Sequence, residues 1–177
     1  MRRPSLVPAA ALALLLLTGC TPDPPAPLPK VNTMTREEAV AVIIRLADAA
    51  GEQIGEGWKP EGPLTPWSNG WPGDDCTLPN GHHGVSFTIV WRGPGVADVD
   101  AVAAKIQAAW KKLGTDVAIV ADDSRGGGDE RRILSDPPYL TGVYVDEYGV
   151  ELTIGTKSTA MSASTHCVPD PTESSAE

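Results

Sequence analysis

The chain has 177 residues, 41% of them hydrophobic, and its 23 acidic residues outnumber 14 basic ones for a net charge of −9. That length supplies one compact domain near the usual size. The acidic excess sets nucleic acid aside as a partner, because phosphate recognition needs Lys and Arg to neutralise the backbone.

The chain opens with the layout of a secretory signal. Arg2 and Arg3 precede an apolar run at 7–17, and Leu17-Thr18-Gly19-Cys20 follows as a lipobox. The apolar run falls short of the roughly 20 residues that cross a bilayer. An ordinary signal peptide cut near Gly19 is the competing reading. A cysteine directly after Leu-Thr-Gly and directly before a proline-rich stretch argues against it. The expectation is cleavage of residues 1–19 and diacylation of Cys20, which anchors the chain to the extracytoplasmic face of the cell membrane. Two acyl chains give stable anchoring where one is marginal. Loss of Arg2 and Arg3 leaves 12 basic against 23 acidic residues, a net charge of −11. Anionic headgroups repel such a chain, which favours a domain standing above the membrane rather than lying on it.

Residues 20–33 contain Pro22, Pro24, Pro25, Pro27 and Pro29 and read as an extended tether. At about 3.1 Å per residue it reaches roughly 40 Å. A helix is predicted from Thr35, whose spacing to Glu38 fits a capping box. Ala39, Val42, Ile43, Leu46, Ala47 and Ala50 continue it as one apolar stripe. The stretch 58–84 is rich in Gly, Pro and Asn, carries Trp58, Trp67, Trp71 and Cys76, and is too long for a plain connector. Val85, Phe87, Ile89 and Trp91 alternate as one strand, and Gly93 to Gly95 form a turn. Val99, Val102, Ala103, Ile106, Ala109, Trp110 and Leu113 give a second helix, with Lys111, Lys112 and Gly114 suited to its end. Val117 and Ile119 mark a strand that runs into a glycine-rich loop at 122–130. Closing strands are predicted near 140–146, 150–155 and 159–167, the first two joined by a hairpin turn at Glu147-Tyr148-Gly149. The tail, 168–177, reads as disordered.

Period-2 alternation in the closing strands makes one sheet face apolar and the other polar. Val150, Leu152 and Ile154 oppose Glu151 and Thr153; Met161, Ala163, Thr165 and Cys167 oppose Ser162, Ser164 and His166. The expected fold class is α+β: a two-layer sandwich with a mostly antiparallel sheet of about four to five strands and two helices on one face, in a single domain spanning 34–167. If Cys20 carries lipid, Cys76 and Cys167 remain as an even pair in an oxidising compartment, and a disulfide between them is expected.

The lipobox, Ser68-Asn69-Gly70 upstream of Cys76, the helix end Lys112-Leu113-Gly114, the run Tyr148-Gly149-Val150-Glu151-Leu152-Thr153-Ile154 and the late Cys167 together give a recognisable order. In that order the chain resembles the LppA-like lipoproteins of actinobacteria. The resemblance implies an envelope lipoprotein of unassigned activity and supplies no catalytic residue.

Chemistry-bearing residues are few. His82 and His83 sit between glycines, and a metal would need further ligands such as Asp74 or Asp75. Adjacent histidines in an exposed turn are more often solvated, so no metal and no cofactor is expected there. His166, on the polar sheet face, is expected to be exposed. Asp122, Asp123, Asp129 and Glu130 surround Gly126-Gly127-Gly128, but Arg125 breaks the alternation a calcium loop requires. Gly-x-Ser-x-Gly, His-Glu-x-x-His and Ser-x-x-Lys signatures do not occur. Trp58, Trp67 and Trp71 are the candidate ligand-binding residues, able to stack on sugar rings or anchor a protein. Their competing use is to lid the end of the core, which tryptophan's large area favours. The expectation is a lipid-anchored, non-catalytic binding module whose partner is an envelope protein or cell-wall ligand. The alternative is a small extracytoplasmic enzyme or metal-dependent protein built on His82, His83, Asp74 and Asp75.

Overall fold

A computed structural model describes residues 34–122, 129–138 and 148–170. The signal segment, Cys20, the tether, the glycine run 126–128, the strand expected at 140–146 and residues 171–177 lie outside the described residues.

Helix α1 (Arg36–Ile54) begins at the expected capping box. The Thr35 hydroxyl accepts from the Glu38 amide at 3.2 Å, and the Glu38 carboxylate accepts from the Thr35 amide at 2.8 Å. Its stripe of Ala39, Val42, Ile43, Leu46, Ala47 and Ala50 is buried. Helix α2 (Val99–Lys112) starts at Asp98, whose carboxylate accepts from the Ala101 amide at 2.9 Å. It closes through Gly114 at φ 96°, the left-handed position that only glycine adopts without strain. The two helices are locked together by Trp110, whose indole N–H donates to the Leu46 carbonyl at 2.9 Å within the core.

Both helices cover one face of a six-stranded antiparallel sheet. In chain order its strands are β1 (Lys59–Pro60), β4 (Thr88–Pro94), β5 (Ala118–Ala121), β6 (Arg131–Asp136), β7 (Gly149–Gly155) and β8 (Ser158–Ser164). In space the order is β1-β4-β8-β7-β6-β5. Ile89, Trp91, Leu134, Val150, Leu152, Ile154, Met161 and Ala163 point at the helices and form the core with them. The fold is therefore the expected α+β sandwich, with six strands in its main sheet where four to five were expected. Lys59 lies opposite Arg92 and Pro60 opposite Trp91, at the sheet edge where proline is tolerated. The Glu61 amide donates inward to the Val90 carbonyl at 2.8 Å, so the alternation turns the nitrogen of Pro60 outward.

A second sheet has three strands, β2 (Asp74–Thr77), β3 (His83–Ser86) and β9 (Val168–Pro169), in the order β2-β3-β9. Three sequence expectations change here. The strand predicted through 85–91 is divided between the sheets at Phe87. The Phe87 amide and carbonyl are taken by Thr165, through its hydroxyl at 3.0 Å and its amide at 2.9 Å. Strand β6 was not anticipated, because its two apolar residues, Ile133 and Leu134, are adjacent and sit between arginines and prolines. The tail boundary after Cys167 also moves: Val168 is 1% exposed and pairs with Val85, so burial overrides the composition of its neighbours.

A candidate interaction surface

The long segment 58–84 is organised by Phe87 and by the disulfide. Its 3-10 turn, Pro66–Asn69, starts with a buried proline and ends at Gly70, φ 77°. Trp67 meets Phe87 edge-on at 5.4 Å between centroids, with 66° between planes. Trp71 meets the same ring at 6.0 Å and 86°. Such T-shaped pairs place the positive ring edge against the negative face. On Trp67 the guanidinium of Arg36 lies 4.9 Å from the ring centroid, a cation–π contact from the first turn of α1. Gly73, at φ 103°, lets the chain pass under the Ser86 carbonyl; a Cβ there would stand 2.8 Å from that oxygen.

The three candidate tryptophans divide. Trp58 is structural: its indole N–H donates to the Ala47 carbonyl at 2.9 Å, and its ring packs where Gly51 leaves room in α1. Trp67 is half-buried, sealing the core between Phe87 and Arg36. Trp71 is 36% exposed and Leu64, three residues before Trp67, is 37% exposed. Trp71 is thus the ring presented outward.

Cys76 and Cys167 are bonded, with Cα atoms 5.9 Å apart and a sequence separation of 91. The bridge ties β2 to the chain leaving β8. Gly84 packs over it: a Cβ there would stand 2.7 Å from both the Cys167 sulfur and the Val168 carbonyl oxygen.

The four residues of the metal or enzyme alternative do not gather. His83 Nε2 and Asp75 Oδ1 meet at 3.1 Å across β2 and β3. Asp74 lies at the opposite register parity of the same ribbon, and the His82 amide donates to Asn80 Oδ1 at 3.1 Å in the turn. Among the described residues, no group of three or more His, Cys, Asp or Glu side chains is placed to hold a metal ion. Asp129, from the predicted acidic loop, is committed to Arg131 and accepts from the Thr156 hydroxyl at 2.7 Å. The Arg131 hydrogen bond, then that of Thr156, holds its carboxyl down at about 2.

The opposite face of the main sheet carries Thr88, Ser162, Ser164, Glu151 and Thr153, as the alternation predicted. The Thr88 and Ser164 hydroxyls lie 2.7 Å apart across β4 and β8. Ile133 shares this face yet is only 3% exposed, so the face is not uniformly solvated.

His166 was expected to be exposed on that face and instead stacks on Tyr148, 4.2 Å between centroids at 9°. Burial, and then the Asp136 charge, push the Tyr148 phenol up to about 12. The Asp136 carboxyl is itself raised, by burial and then by Asp116. No residue pattern announced this cluster, because the stacking partners are joined only by pairing of β7 with β8. The neutral phenol is the form the fold prefers, so its contribution is complete below the ordinary tyrosine value near 10 and is lost as pH rises toward 12. Alkaline unfolding followed by circular dichroism should lose on the order of 2 kcal/mol across that window. Tyr148→Phe should flatten the loss.

These features define a small disulfide-stapled α+β domain of two antiparallel sheets with an aromatic loop packed on Phe87. No protein-family model, curated protein or solved structure matches the chain.

Proposed function

We propose that the chain is a lipid-anchored cell-envelope lipoprotein that works as a non-catalytic binding module, with Trp71, backed by Trp67 and the buried Phe87 ring, at its contact surface. The observation that carries this reading is the division of the cysteines. The chain has three; Cys76 and Cys167 take each other, and Cys20, placed after Leu17-Thr18-Gly19, is left for the lipid. A disulfide of this kind persists outside the cytosol, where a lipobox sends the chain. The resemblance to LppA-like lipoproteins belongs to the same reading. Among the described residues no helix is long and apolar enough to cross a membrane, which leaves attachment in this proposal to the lipid at Cys20.

Mass spectrometry of the membrane-extracted protein tests it. The N-terminal peptide is expected to begin at diacylated Cys20, and Cys20→Ser is expected to keep residues 1–19 attached. An unmodified Cys20 thiol in the native protein would reject the anchor. Photocrosslinking from position 71 in intact cells should yield adducts that a probe at exposed Glu151, on the far sheet face, does not. Equal labelling from both positions would reject the patch.

A further inference from the structure

We infer that the aromatic patch faces the membrane: Trp71 and Leu64 seat the domain on the lipid–water interface of the bilayer that holds its own anchor. This inference rests on the lipid-anchor reading and names the partner of the patch.

The first support is where the chain enters the fold. Met34 is buried in the core and Arg36 lies over Trp67, so the segment coming from Cys20 arrives beside the patch. Thirteen residues, 21–33, separate the lipidated cysteine from that point. A connection of only thirteen residues keeps the domain near the bilayer that holds the anchor, which raises its local concentration there. A patch too small to hold a free protein on a bilayer is therefore sufficient for a tethered one. At full extension the same segment would lift the domain roughly 40 Å, so contact or separation is decided by the surface and not by the reach.

The second support is where exposed apolar side chains occur. Among the described residues the large ones are Leu64, Trp71 and Val120, and two of the three belong to this loop. The T-shaped contact with the buried Phe87 ring fixes Trp71 to the domain while 36% of it stays exposed. Tryptophan's amphipathic ring favours the headgroup level of a bilayer.

Charge restricts which surface the patch meets: the acidic excess that favours a domain above an anionic membrane does not act on a zwitterionic one. Asp74 and Asp75 follow Trp71 closely, and both are exposed. They oppose an anionic surface, so the contact is an apolar one and should be stronger on zwitterionic lipid. Salt should narrow the difference.

The full-length lipidated protein is reconstituted into phosphatidylcholine vesicles brominated near the headgroup, and tryptophan quenching is read. Quenching is expected, and Trp71→Ala and Leu64→Ser should each at least halve it without changing the melting profile. Adding phosphatidylglycerol should weaken it. Lipidated, vesicle-bound protein whose tryptophans escape quenching overturns the docking and leaves the anchor standing. So does quenching that Trp71→Ala leaves intact. An unmodified Cys20 by mass spectrometry, with protein absent from the vesicles, overturns both. Trp71 shielded from acrylamide in lipid-free detergent at doubled molecular mass assigns the patch to a second copy and also overturns the docking.

Discussion

Cys76→Ser/Cys167→Ser protein should unfold about 4–5 kcal/mol more easily than the parent, the cost the chain-entropy model assigns to opening a loop with a separation of 91 residues. For a domain of this size that corresponds to a melting point roughly 10–20 °C lower. The loss should not be spread evenly. The three-stranded sheet has two strands of four residues and one of two, and the bridge joins its first strand to the chain that enters its last. The main sheet keeps its long β7–β8 and β4–β8 ladders without help from sulfur. Hydrogen exchange should therefore show β2 and β3 opening at far lower free energy in the variant, while β7 and β8 follow global unfolding. Uniform loss across both sheets would mean the bridge acts only on the unfolded chain.

Phe87→Ala is expected to cost about 3–5 kcal/mol, the range for removing a fully buried aromatic side chain. Phe87 is 1% exposed and stands where the chain leaves one sheet for the other. Its ring is also the shared partner of Trp67 and Trp71, so the cavity would open directly beneath the patch. Phe87→Leu keeps most of the volume and should cost less than about 1.5 kcal/mol. It removes both edge-to-face contacts, and Trp71 emission should shift to the red in the leucine variant while the melting profile stays near the parent's. A leucine variant with unchanged Trp71 emission would show that the loop positions that ring by itself.

The parts of the fold that were legible in the sequence are those whose period is locally unambiguous. Both helices follow from a 3.6-residue stripe, with Thr35 and Glu38 marking the start of α1 to the residue and Gly114 the end of α2. Strands β7 and β8 follow from strict alternation. The disulfide was expected from counting cysteines, on the condition that Cys20 carries lipid. The division at Phe87 was not legible: alternation continues unbroken from Val85 to Trp91, and what separates the two strands is Thr165, 78 residues away along the chain. Strand β6 was hidden because Ile133 and Leu134 are both buried, one on each face of the sheet, which erases the alternating pattern. Val168 was concealed by the prolines around it. The candidate surface was legible in part. Three tryptophans marked the loop, but which one serves the core depended on reach. Trp58 finds a carbonyl in α1 and Trp67 finds Phe87, which leaves Trp71 outward.

Pro60 has a bearing on how copies of this domain coexist. At the outer rim of the main sheet, the place where a neighbouring strand would look for a hydrogen to share is occupied by a ring nitrogen that carries none. Sheets brought side by side at high density lose a bond there, which disfavours pairing along that rim.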